Sequence, residues 1–168
     1  MNSFPSGTRS RFTQIVIVGC GKRAGMIARV AAKTACRVAV LVGEQWENRE
    51  GDPGRFPKDA ELIFGSPQRL LTQLPTDEET LIIAATGELE KDKAVLAACL
   101  HRRSAGLLIA QPPERREEIL DEFCATGRLK PWERHKIQAL PFSGNGPKNT
   151  GQIAAAILSL LLSRLQAA

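Results

Sequence analysis

The most constraining stretch of this sequence is Gly19-Cys20-Gly21-Lys22-Arg23-Ala24-Gly25, which directly follows the β-branched run Gln14-Ile15-Val16-Ile17-Val18. A short apolar run ended by glycine fits a strand buried on both faces of a parallel sheet. After the loop, Ile27, Val30, Ala31 and Thr34 recur at the spacing of one helix face, predicting a helix over Ala24 to Thr34. Arg37 to Val42 is a second buried strand, and a crossover of this length makes it parallel to the first. The glycine pattern therefore sits inside a βαβ unit, the context in which G-x-G-x-x-A reads as a phosphate-binding turn. Gly19 permits the tight turn, Gly21 lets the backbone approach a pyrophosphate, and Ala24 allows the helix to pack closely on the strand. The helix start adds unpaired N–H donors for an anion. A purely structural turn is the alternative reading.

Strands and helices continue to alternate. Glu61 to Phe64, Thr80 to Ala85, Gly106 to Ile109 and Ile137 to Pro141 read as four further strands. Ser66 caps a short helix that runs to about Gln73, Lys91 to Arg103 is an amphipathic helix, and Pro113 to Ala125 is a highly charged helix closed by Gly127. Gly43 to Pro57 lacks any period and reads as a surface loop. The helix over Thr150 to Leu165 is apolar almost all round, so it packs either internally or across a subunit interface. The expected fold is α/β: a Rossmann-like three-layer sandwich with a mostly parallel sheet of about six strands. With 168 residues the chain supports one domain, over residues 14–168, preceded by a flexible tail over 1–13.

Composition narrows the partners. A formal net charge of +5 favours anions, but aromatic residues are only 5% and tyrosine is absent, which removes the stacking surface of single-strand nucleic-acid binders. No nucleic acid is expected. Ile153 to Leu162 covers about half of the ~20 apolar residues a membrane span needs, and residues 1–13 have no apolar core for a secretory signal, so neither a membrane nor export is expected. Cys20, Cys36, Cys99 and Cys124 are widely spread without metal-ligand spacing and read as buried reduced thiols, which suits a cytoplasm. No metal site is expected.

The candidate ligand-binding residues are Gly19, Cys20, Gly21, Lys22, Arg23, Ala24, Glu44, Thr86, Gly87, Ser143 and Asn145. Lys22 and Arg23 lie in the first helical turn, where the macrodipole disfavours cations unless an anion compensates; the alternative is that both side chains bend outward into water. Glu44 lies about twenty residues past the motif, where a ribose-binding acid belongs, but beyond the strand end, so NAD and NADP are not distinguished. Thr86 to Asp92 follows the fourth strand at the crevice edge, and Ser143 to Gly146 is a turn-rich segment that could wall it. Among Glu88, Glu90 and Asp92, capping of the helix dipole is favoured over metal binding or proton transfer. His101 and His135 sit in charged surroundings, and no catalytic constellation is assembled around either. An enzyme is therefore expected only if a cofactor carries the chemistry, as in an NAD(P)-dependent oxidoreductase.

From about Gln14 onward the chain resembles the Rossmann-like carboxyl-terminal domain of XdhC/CoxI proteins, accessory factors of molybdenum hydroxylases. The carriers are Ile17-Val18-Gly19-Cys20-Gly21, Arg37-Val38-Ala39-Val40, Thr86 with Glu90 and Asp92, Ala105-Gly106-Leu107-Leu108, Ile119-Leu120, and Pro141 to Gly146 ahead of Ile153-Ala154. The resemblance implies a chaperone that binds molybdenum cofactor (molybdopterin), protects it and delivers it to a hydroxylase apoenzyme as client. The chain departs from the family pattern at Val42-Gly43, at Gly87 and at Gln111-Pro112-Pro113-Glu114, and reads as a divergent, stand-alone member. A phosphorylated cofactor at the glycine loop, molybdenum cofactor or NAD(P), is common to these functional readings. A non-catalytic NAD(P)-binding scaffold that forms a homodimer through the last helix is the remaining alternative.

Overall fold

The computed structural model describes residues 14–43, 56–104, 106–140, 151, 155 and 157–159. The strands are β1 (Gln14–Val18), β2 (Arg37–Val42), β3 (Glu61–Phe64), β4 (Thr80–Ala84), β5 (Gly106–Ile109) and β6 (Ile137–Ala139). The helices are α1 (Lys22–Ala31), α2 (Pro67–Gln73), α3 (Leu89–Cys99) and α4 (Pro113–Ala125), with a 3-10 helix over Pro131–Lys136 that the sequence pattern did not announce. The six strands form one sheet in the order β3-β2-β1-β4-β5-β6, and every pair is parallel. This is the Rossmann arrangement. The chain moves outward from β1 to β3, then returns to β1's other side as β4, which places a topological switch point between β1 and β4.

Side-chain alternation along each strand divides the core in two. Ile15, Ile17, Val38, Val40, Leu81, Ile83 and Leu108 pack with the inner face of α1 and with Ile157. Val16, Val18, Leu41, Ile82, Ala84, Leu107 and Ile109 pack on the opposite face with Leu71, Leu96 and Phe123, which come from α2, α3 and α4. Helices thus cover both faces of the sheet, which is why the central strands are apolar at successive positions, Ile15 to Val18 in β1 and Leu81 to Ala84 in β4, rather than at alternate ones.

Several boundaries move. Helix α1 starts at Lys22, two residues earlier than its apolar stripe suggests, and ends at Ala31. Thr34 is not part of its inner face; its hydroxyl donates to the Ala31 carbonyl (2.6 Å) and helps to close the helix end. Helix α3 begins at Leu89 and stops at Cys99, short of Arg103. Ser66 does cap α2 in position, but with no side-chain capping bond to the helix. Gly127, at φ +73, closes α4 as expected, its N–H donating to the Cys124 carbonyl (3.2 Å).

The loop reading of Gly43 to Pro57 needs a correction at its far end, because Phe56 is buried in the α1-side core. The thiol reading needs one too. Only Cys99 is buried, where burial pushes its thiol pKa up to about 11, while Cys20, Cys36 and Cys124 are half-buried. In the last segment Ile157 is fully buried in the α1-side core, while Gly151, Ala155 and Ser159 are exposed. Among the described residues no helix is long and apolar enough to cross a membrane. Residues 1–13 lie outside the described residues.

Candidate functional site

The glycine loop stands at the switch point. The Gly19 N–H donates to Leu41 O (3.0 Å), so the chain leaves β1 while still bonded to β2. Gly19 has φ +149, and a Cβ placed there would lie 2.1 Å from the Ala85 carbonyl oxygen and 2.6 Å from its carbon. Only glycine lets β1 end this close to the end of β4. Gly21 differs: it is the N-cap of α1 with an extended φ of −81, and a Cβ on it would meet none of the described residues within 4 Å. The turn therefore exposes backbone on an open side. Ala24 is fully buried, as close packing of α1 on the sheet requires.

The first intrahelical bond of α1 runs from Gly25 N–H to Gly21 O (3.1 Å). The N–H groups of Lys22, Arg23 and Ala24 thus precede any acceptor within the helix, and the first turn carries no acid. Partial positive charge accumulates there from both the dipole and the two basic residues. The two side chains part company. Lys22 is exposed, whereas Arg23 does not bend out into water; its Nη1 donates to the carbonyl oxygen of Ala110 (2.9 Å), just past β5.

The facing wall is the β4–α3 connection. Asp92 is fully buried, and its Oδ1 accepts from the Thr86 N–H (2.8 Å) and the Thr86 hydroxyl (2.7 Å), while Oδ2 accepts from Gln111 Nε2 (2.7 Å). This corrects the capping reading for Asp92. It is a tie between the loop after β4, the start of α3 and the residue after β5. Burial raises its pKa above the ordinary carboxylate value, against the opposing pull of the Gln111 and Thr86 hydrogen bonds and the Arg23 charge. Glu88 and Glu90 are exposed and pair with Lys91 (2.8 Å) and Lys93 (3.0 Å), which suits the solvated first turn of a helix.

Gly19, Cys20, Gly21, Lys22, Arg23, Ala24, Thr86 and Gly87 therefore gather at the carboxyl edge of β1 and β4, with Gly87 exposed at φ +81. Glu44, Ser143 and Asn145 lie outside the described residues. Among the described residues there is no group of three His, Cys, Asp or Glu side chains that could hold a metal ion. His135 is exposed on the 3-10 helix, its Nδ1 3.0 Å from the Trp132 carbonyl oxygen, and His101 is exposed beyond α3.

Sequence reasoning missed Gln111 and the true place of Asp92. A signal was present: Asp92 shares the inner stripe of α3 with Val95, Leu96 and Cys99, at i, i+3, i+4 and i+7. An acid in phase with an apolar stripe is carried inward, where it needs donors.

No family model matches the chain, and no curated protein matches it by sequence. Among solved structures it is similar to a xanthine dehydrogenase from Bacillus halodurans, at 19% identity and a TM-score of 0.69, over 93% of this chain. The chain spans 43% of the length of that protein. It is also similar to a wide-type short-chain dehydrogenase/reductase from Veillonella parvula in complex with NADP, at 15% identity and a TM-score of 0.41, over 74% of this chain and 60% of the other. The first likeness agrees with the Rossmann arrangement of the sheet; the second is too loose to bear on the site.

Proposed function

We propose that this domain is an accessory protein of molybdenum hydroxylase maturation that holds a phosphorylated cofactor at the start of α1. The observation that carries the reading is the loop itself: Gly19 is pressed onto the end of β4, Gly21 opens the adjacent side, and three helical N–H groups converge there without a helical acceptor. Support also comes from the resemblance to XdhC/CoxI proteins and from similarity over 93% of the chain to a protein described as a xanthine dehydrogenase.

Molybdenum cofactor carries a phosphate on its pterin, and the loop residues fit such a group. Gly21 and the N–H groups of Lys22, Arg23 and Ala24 would hold the phosphate, Lys22 would add charge from the solvent side, and Thr86 and Gly87 would form the opposite wall. The redox chemistry of the cofactor belongs to the client hydroxylase. This chain's part is to bind, orient and shield.

The test is anaerobic purification of the chain from cells making molybdenum cofactor, followed by release and quantitation of bound pterin. Stoichiometric pterin, and faster activation of an apo-hydroxylase in its presence, are expected. Absence of both results overturns the reading. Gly21→Ala refines it. Its φ suits any residue and its Cβ meets no atom of the described residues, so denaturant stability should stay within about 1 kcal/mol of the parent, the range of N-cap changes. The new methyl stands where the phosphate must approach, and retained pterin should fall about tenfold, equivalent to about 1.4 kcal/mol.

A further inference from the structure

Arg23 does more than contribute charge to α1. Gly19, Ala85 and Ala110 lie at one level on the carboxyl edge of three adjacent strands: Val18 pairs with Ala84, and Ala84 with Ile109. The Ala85 N–H donates to Val18 O (2.8 Å) and the Ala110 N–H to Ala84 O (2.8 Å), which carries the register one residue beyond the strands. Arg23 starts on α1, beside β1, and ends on the Ala110 carbonyl beyond β5. Its side chain therefore spans from the β1 side to β5 past β4, which stands between them, across strand spacings of roughly 5 Å each. The far anchor is held in place, because Gln111, the next residue, is tied to buried Asp92 (2.7 Å).

In a sheet of this order a dinucleotide lies across the switch point, with its pyrophosphate at the β1 turn and one nucleoside on each side. The β4–β5 side is the one Arg23 bars. We propose that Arg23 is a specificity-determining residue that confines the crevice to a ligand with a single ring system. That ligand class is a phosphate or diphosphate monoester lying toward β2, with the guanidinium facing the terminal phosphate. This rests on the phosphate-binding reading of the loop. It selects a compact phosphorylated cofactor over NAD(P).

The experiment is calorimetric titration of the full chain with inorganic pyrophosphate, ADP and NAD+, repeated on Arg23→Met and Arg23→Ala. Methionine keeps an unbranched stem and removes the bond to Ala110, and a thermal melt of each variant checks folding. The parent is expected to bind ADP at least tenfold more tightly than NAD+, and Arg23→Met to shrink that ratio to threefold or less by admitting NAD+. Equal or tighter NAD+ binding by the parent, or a ratio unmoved in both variants, overturns the proposal while leaving the phosphate site standing. If pyrophosphate, ADP and NAD+ all fail to bind the parent, the phosphate reading of the loop falls and this inference with it.

Discussion

Replacing Gly19 with alanine is expected to cost about 3–5 kcal/mol, the range of the most disruptive single substitutions, and to leave little folded protein. Two effects combine. The added Cβ would sit 2.1 Å from Ala85 O and 2.6 Å from Ala85 C, and these are backbone atoms within a hydrogen-bonded sheet edge that cannot rotate aside. The φ of +149 is also a conformation that side-chain-bearing residues rarely adopt. Relief would require β1 and β4 to separate at their ends, which would break the bond from Ala85 N–H to Val18 O. Since a domain of this kind is stable by only about 5–15 kcal/mol, urea denaturation of Gly19→Ala should show a collapsed midpoint. A midpoint shift worth less than about 1 kcal/mol would show that the β1–β4 approach is looser than described. The contrast with Gly21→Ala is diagnostic. One glycine serves the fold and, in the proposed function, the other serves the ligand, although they are two residues apart in the same motif.

Asp92→Ala is the second large effect. It removes the acceptor for the Thr86 N–H, the Thr86 hydroxyl and Gln111 Nε2 together. The unsatisfied Gln111 amide and Thr86 N–H, with the cavity left behind, should cost about 2–4 kcal/mol, while the Thr86 hydroxyl still has the Glu88 carbonyl as acceptor. Asp92→Asn should cost much less. Its carbonyl oxygen can still accept from Thr86, and Gln111 can turn its amide to present oxygen to the new NH2 group. Denaturant midpoints of the parent and both variants at neutral pH check this ranking, and an asparagine variant as damaged as alanine would contradict it.

The same residue predicts a pH dependence of definite sign. Folded Asp92 holds its proton more tightly than the unfolded chain does, because burial outweighs the donated bonds and the Arg23 charge. Its contribution to stability is therefore fullest in acid, below the ordinary carboxylate pKa, and is lost as pH rises through the raised folded value. Subtracting the stability of Asp92→Asn from that of the parent across about pH 3 to 8 isolates this contribution. The difference should fall with rising pH; a difference that rises would mean that the hydrogen bonds and Arg23 outweigh burial.

Much of the fold was legible because its signals are local. Strands β3 and β5 have the bounds their apolar runs predict, and α4 runs from Pro113 to a glycine closure just after Ala125. The glycine loop was legible for the same reason: a turn after a buried strand can be met by few residue types. Helix ends were less so. Thr34 fits the α1 stripe by spacing, but once the helix stops its hydroxyl finds the Ala31 carbonyl instead. Asp92 shows the limit more clearly, since acidity suggests an exposed cap while its phase on α3 turns it inward.

By itself the sequence determined an α/β chain with a glycine turn at the end of its first strand, since hydrophobic period and turn chemistry are set by near neighbours. Only the tertiary structure decided how the ends of the strands are tied together. Arg23 reaches a carbonyl 87 residues away, and Gln111 reaches Asp92 across 19. A flexible guanidinium has no preferred partner until the strand order brings one within its length. The parallel sheet places the end of β5 two strands from β1, and that spacing lets a basic residue of the first helical turn tie the start of α1 to the end of β5.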